Sequence, residues 1–217
     1  MPISTSFTMT LPTWLVDEAD TLPAVLPTLE ERMALVNRLA DRNWREGNGG
    51  PFAAIVVDDT TGELVSAGVN VVLSTGKSSG HAEVMALGLA QQRLGRWDLG
   101  ADGASLSLVV NWRPCVQCYG ATMWSGVRSL VVAGSGPELE ELSGFDEGPM
   151  VADWAEQFEA RGIRVTQDVG REEALEVYRA YGASNSLVYN ARARVARGRS
   201  VAPKRGFPAS SPATRRD

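Results

Sequence analysis

The stretch Leu106-Ser107-Leu108-Val109-Val110-Asn111-Trp112-Arg113-Pro114-Cys115-Val116-Gln117-Cys118 decides how this chain folds. Ser105 to Asn111 is almost continuously apolar, which suits a central strand covered on both faces. Pro114 then suits the first turn of a helix, where its missing N–H costs nothing. Cys115 and Cys118 stand three residues apart on that helix, so both thiols leave from one face.

The chain on either side follows the same alternation. Residues 1–27 hold four prolines and no sustained period, so they read as an extended N-terminal arm. Thr28-Leu29-Glu30-Glu31 is a capping box, and Leu29, Met33, Val36 and Ala40 carry a helix on to about Glu46. Gly47 to Pro51 breaks it, and Phe52 to Val57 and Glu63 to Val71 form an antiparallel hairpin across the Asp58–Gly62 turn. Residues 73–80 are a loop into a helix from about His81 to Leu94. Val127 to Ala133 is a fourth strand, 134–149 a long acidic loop, Val151 to Ala160 a helix, Ile163 to Val165 a fifth strand, and Arg171 to Tyr181 the last helix. This order predicts one α/β domain, residues 28–183, built as a three-layer α/β/α sandwich on a five-stranded mixed sheet. Right-handed crossovers put the starts of the His81 and Cys115 helices on one edge of that sheet.

The chain has 217 residues, 44% of them hydrophobic, enough for a proper core. No apolar run is long enough for a membrane span, and no basic-then-apolar leader opens the chain, so the expectation is a cytoplasmic protein with no membrane partner. The net charge of −5 is uneven: residues 191–217 carry +7, leaving −12 on residues 1–190. A basic tail hints at a nucleic-acid partner, but the acidic body argues against one.

The chain has one histidine and two cysteines, and all fall in His81-Ala82-Glu83 and Pro114-Cys115-Val116-Gln117-Cys118. His81, Cys115 and Cys118 can close on a tetrahedral Zn2+ and leave the fourth corner for water. Glu83, two residues on, can reach that water as general acid and base without ligating the metal. Taken singly, each stretch has an ordinary reading: a capping histidine, or a redox or structural C-x-x-C. Together, in strand-loop-helix context, they point to zinc hydrolysis. A purely structural zinc would need a fourth protein ligand, most simply Glu83.

These two stretches fit the H-x-E and P-C-x-x-C signature of zinc base deaminases. With Pro51-Phe52-Ala53-Ala54, Asn70, Val84 and Tyr119-Gly120-Ala121, the chain resembles the cytidine deaminase-like superfamily over roughly residues 28–190. Within it, the chain is similar to the branch holding bacterial guanine deaminases and tRNA adenosine deaminases. The resemblance implies hydrolysis of an amino-substituted heterocycle, a free nucleobase or nucleoside, to the oxo compound and ammonia. Trp124, Gly144-Phe145-Asp146 and Tyr189-Asn190 lean towards guanine deaminases. On that analogy Asn70 bonds the base, Trp124 packs on its ring, and Asp146 or Glu147 reads its edge. Phe52 and Trp112 join the pocket, and the backbone N–H of Ala82 polarises the group being replaced. The resemblance also implies a homodimer in which residues 184–217 reach a neighbouring subunit. Arg113 stands where that family usually has an acidic residue, and Ala53 where glycine is common. A modified purine, a free pyrimidine or an aminotriazine therefore stays open beside guanine, as does adenosine-to-inosine editing of tRNA.

Overall fold

The capping box at Thr28 forms as the sequence predicts: the Thr28 amide donates to Glu31 Oε2 at 3.0 Å, and the Glu31 amide to Thr28 Oγ1 at 3.2 Å. It opens helix α2, Leu29–Arg45, in a computed structural model that describes residues 3–190. The expected hairpin follows as β1 (Ala53–Asp58) and β2 (Leu64–Val69), with Asp58 Oδ1 accepting from the amides of Thr60 and Thr61 to close the turn. The remaining strands are β3 (Leu106–Val110), β4 (Ser129–Val132) and β5 (Arg164–Thr166).

The sheet order is β2-β1-β3-β4-β5. β1 is antiparallel to both β2 and β3, while β3–β4 and β4–β5 are parallel. Every residue of β3 and β4 is buried, Ser107 and Ser129 included, as near-continuous apolar runs require of strands covered on both faces. Alternation along β1 sorts the two faces. Ala53, Ile55 and Val57 enter one core with α2 and with α8 (Arg171–Gly182); Ala54 and Val56 enter a second core with α4 (Ala82–Leu94) and α7 (Trp154–Glu159). These are the three layers expected.

The course of the strands positions the functional groups. β2 and β3 run the same way on either side of β1, so their C-terminal ends share one edge of the sheet. β2 leads to α4 and β3 to α5 (Val116–Trp124), and both helices start at that edge. α4 lies tight on the sheet at Gly68, where a Cβ would sit 2.4 Å from Ala82 O and Ala86 N.

Several expectations are corrected. The N-terminal arm is not wholly extended: Thr13–Glu18 forms α1, followed by a single 3-10 turn over Ala19–Thr21. Leu15 is buried, and Glu18 pairs with Arg38 and Arg42 of α2, so this arm is tied to the body. The loop at 73–80 begins in a short helix, α3 (Val72–Thr75), and the acidic loop at 134–149 contains α6 (Glu138–Ser143). The fourth predicted helix is trimmed to Trp154–Glu159. Pro114 precedes α5 rather than opening it, because Cys115 is extended (φ −65°, ψ 172°) and takes the N-cap. Among the described residues, no helix is long and apolar enough to cross a membrane. The basic tail lies outside the described residues.

Candidate metal centre and active-site cavity

His81 is the N-cap of α4 and Cys115 the N-cap of α5, with Cys118 one turn further on. Neither cap side chain bonds its own helix, so the imidazole and the thiol are both free to turn towards each other. His81 Nδ1 lies 3.4 Å from Cys115 Sγ and 3.5 Å from Cys118 Sγ. Tetrahedral zinc, with Zn–S about 2.3 Å and Zn–N about 2.0–2.1 Å, would separate nitrogen and sulfur by about 3.5 Å. The three ligand atoms lie within 4.8 Å of one another, so one ion fits all of them. The positive ends of two helices also face the thiols and favour thiolate.

Without metal, the cluster shares its protons unevenly. The Cys118 thiol donates to Cys115 and, with the His81 charge, lowers Cys115 to about 4. Cys118 itself is pushed up, first by that shared bond and then by burial. Burial, the largest single influence, would lower His81, but the Cys115 thiolate together with the Glu83 and Glu147 carboxylates outweighs it and raises the imidazole to about 9. The metal-free cluster is thus a thiolate, a thiol and an imidazolium.

Glu83 is the second residue of α4, only 6% exposed, and burial raises its carboxyl pKa. It lines a cavity of about 620 Å³ with His81 and Cys115. Phe52, Trp112 and Phe145 form apolar walls, and Asn70, Arg113, Asp146, Glu147, Tyr189 and Asn190 bring polar groups. Trp112 is held from behind: its Nε1 donates to Gly136 O, Arg171 stacks 5.1 Å from its ring, and Tyr178 meets it edge-on.

Of the site residues that the sequence singles out, His81, Glu83, Cys115, Asn70, Phe52, Trp112, Asp146 and Glu147 all line this cavity, and Cys118 completes the cluster behind it. The two acidic candidates separate. Asp146 is on the exposed rim, and its Oδ1 accepts from the Gly148 amide. Glu147 sits deeper; burial, then the Cys115 and Glu83 charges, raise it to about 8. Ala82, fully buried, opens α4, where the first helical amides have no partner within the helix. Trp124 is the correction: it is 81% exposed at the end of α5 and does not line the cavity. Six residues make about one and two-thirds helical turns, so Trp124 points about 120° away from Cys118. Tyr189 and Asn190 lie against the cavity of their own chain. Tyr189 contacts Asn70 and Gly50, and Asn190 bonds Gly144 O and the Asp146 amide. No local signal marks such contacts, since they join segments more than forty residues apart.

Three ligands with an open side, beside a buried carboxyl and under an aromatic cavity, define a zinc hydrolase site. The family model described as the cytidine and deoxycytidylate deaminase zinc-binding region matches residues 27–134. A solved guanine deaminase from Nitrosomonas europaea aligns with a TM-score of 0.78 and 42% identity, over 85% of this chain and 100% of that one. A mutant guanine deaminase in complex with 8-azaguanine aligns at 0.78 and 43% identity, over 83% of this chain and 99% of that one. The curated guanine deaminase of Bacillus subtilis is 32% identical over 109 residues, 50% of this chain and 65% of the relative, so the match spans under two thirds of that protein's length. The chain belongs to the cytidine deaminase-like family of zinc-binding deaminases.

Proposed function

We propose that this chain is a zinc-dependent aminohydrolase of a free purine base, with guanine as its substrate. The observation that carries the reading is the buried Glu83 carboxyl beside an open three-ligand zinc cluster, at one end of an aromatic-walled cavity. Zinc, when bound to His81, Cys115 and Cys118, supplies a water acidic enough to lose a proton near pH 7.

The chain's own residues do the rest. Phe52, Trp112 and Phe145 hold a flat ring and exclude solvent. The apolar surroundings of Glu83 hold its proton affinity up, so it can accept the water's proton and give it to the ring nitrogen beside the reacting carbon. The same carboxyl, now empty, takes the remaining proton from the hydroxyl added to that carbon and passes it to the departing amine, so that the C–N bond breaks, ammonia leaves and the carbon becomes C=O. The Ala82 amide, at the helix start, donates to the polarised group. Glu147 faces N–H groups on the ring, and Asn70 faces an acceptor. Asp146 closes the rim.

We also propose a cytoplasmic homodimer. Reduced thiols as metal ligands suit a reducing compartment, and the exposed Trp124 at the end of α5 offers an apolar surface to a second copy. A tRNA substrate is disfavoured by the −12 carried by residues 1–190.

Ammonia release from guanine, adenine, cytosine, their nucleosides and an aminotriazine, measured with zinc-loaded protein, tests the reading. Turnover of guanine above the others is the expected result. No turnover of any member, or inosine formed only in tRNA, overturns it.

A further inference from the structure

Asn70 is only 2% exposed and is held from several sides. Its amide donates to Phe52 O at 3.0 Å, and its carbonyl accepts from Asn43 Nδ2 at 2.8 Å. Gly49 packs directly on it: a Cβ there would sit 2.3 Å from Asn70 Oδ1 and 2.4 Å from its carbonyl oxygen. The backbone of Asn70 is therefore fixed, and what remains is which way its carboxamide faces.

Backbone chemistry answers that. The Val72 amide, which can only donate, lies 3.1 Å from one end of the carboxamide, so that end must be Oδ1. The Tyr189 hydroxyl is 2.7 Å from the same oxygen and must donate to it. The Tyr189 oxygen is then left to accept, and the Gly50 amide donates to it at 2.9 Å. The chain of donors is consistent from end to end: Gly50 N–H to Tyr189 O, Tyr189 O–H to Asn70 Oδ1. Nδ2 has no partner among the described residues, and Asn70 lines the cavity. A carboxamide with its oxygen doubly occupied presents two N–H donors and no acceptor to whatever fills that space.

We propose that Tyr189 is a positioning residue for substrate selection: its hydroxyl locks the Asn70 carboxamide with Nδ2 turned into the cavity, so that the site takes rings that offer an acceptor there and rejects those that offer a donor. The proposal rests on reading the cavity as a purine-base site. It assigns to residue 189 a role exerted through Asn70, and it leaves the metal centre independent of Tyr189. The Tyr189 ring, 4.9 Å from Phe145, stays packed when only its oxygen is removed.

The test is a double-mutant cycle on zinc-loaded full-length protein, with zinc content and melting temperature as controls. Tyr189→Phe frees one of the two bonds to Oδ1. The expected effect is about a tenfold fall in kcat/KM for guanine, in line with one lost hydrogen bond, carried mainly by KM. In an Asn70→Ala background, Tyr189→Phe is expected to change kcat/KM, or the affinity for 8-azaguanine, by less than about twofold, because its route of action is gone. Equal costs in both backgrounds would overturn the proposal. A substrate-free readout keeps the two readings apart. In protein labelled with 15N at asparagine, the Asn70 side-chain amide pair, identified by its loss in Asn70→Ala, is expected to move and broaden in Tyr189→Phe. An unchanged pair overturns the lock even if guanine is turned over. Absence of guanine turnover by the parent protein, with the pair still shifting, sinks the assigned substrate and leaves the lock standing.

Discussion

Replacing Glu83 by glutamine keeps the size of the side chain and removes its proton chemistry. General acid–base groups contribute about 10²–10⁴ in rate, and this one carboxyl is asked to serve both the ring nitrogen and the departing amine. The loss in kcat should therefore reach the upper end, about 10⁴-fold, or about 5.4 kcal/mol at about 1.36 kcal/mol per tenfold. Stability should move the other way. Burial raises the Glu83 carboxyl pKa, so the folded protein holds this proton to higher pH than the unfolded chain does. Below the unfolded-state value both states are protonated and nothing is lost. As pH rises towards the folded-state value, the buried charge must form and stability falls. Glutamine mimics the protonated form, so metal-free Glu83→Gln should melt no lower than the parent at pH 8. The assay is stopped-time ammonia release with zinc measured in the same sample, alongside thermal melts of the metal-free forms. A variant with full zinc that keeps more than about a tenth of parental kcat would refute the role given to Glu83, since even the weakest general acid–base group is worth about 10².

Three further outcomes follow from the same geometry. Zinc uptake at pH 7 should release at least two protons, from the His81 imidazolium held at about 9 and from the raised Cys118 thiol, but none from Cys115, held at about 4; calorimetry in buffers of different ionisation enthalpy counts them. Glu147 is raised from 4.5 to about 8, so the metal-free protein should lose stability between those values, and Glu147→Gln should remove that loss and match the parent at the acid end, as melts across pH will show. Gly68→Ala places a Cβ 2.4 Å from the backbone of α4 and should cost about 1–3 kcal/mol by denaturant unfolding, with weakened zinc affinity because His81 is displaced with the helix.

The parts of this molecule that were legible in the sequence are those written in short-range pattern. The nearly continuous apolar run of β3, the hairpin and the Thr28 capping box each depend on neighbours within a few residues, and each stands where the pattern puts it. The zinc cluster is of the same kind. A histidine at one helix cap and cysteines three apart at another need only the sheet to bring two helix starts to one edge. α1 and α6 span six residues each, too few to show a helical period; Leu15 anchors α1 in the core, and Glu138 ties α6 to Arg171. Trp124 is placed in the pocket by resemblance alone, with no pattern of its own behind it, and at the end of α5 it turns to solvent about 120° from Cys118.

The polar side of the cavity is a different problem. It is assembled from Asn70, the 145–148 loop and Tyr189-Asn190, with the Gly50 amide bonding Tyr189 from behind, and no two of these are joined by a regular element whose spacing would announce the contact. Which of Asp146 and Glu147 faces inward, and which end of Asn70 does, is settled by bonds such as Gly148 N–H to Asp146 and Val72 N–H to Asn70. Those bonds touch none of His81, Cys115 and Cys118. The choice of ring made through Asn70 and Tyr189 is therefore separable from the activation of water, while Glu147 is tied to both, its carbonyl accepting from the Val116 amide beside Cys115. Substitutions at 189–190 should change which heterocycle is accepted while zinc affinity stays put, whereas changes at Glu147, whose charge also acts on His81, should move both; variants at 189–190 that lost zinc in step with selectivity would show that the two are one unit after all.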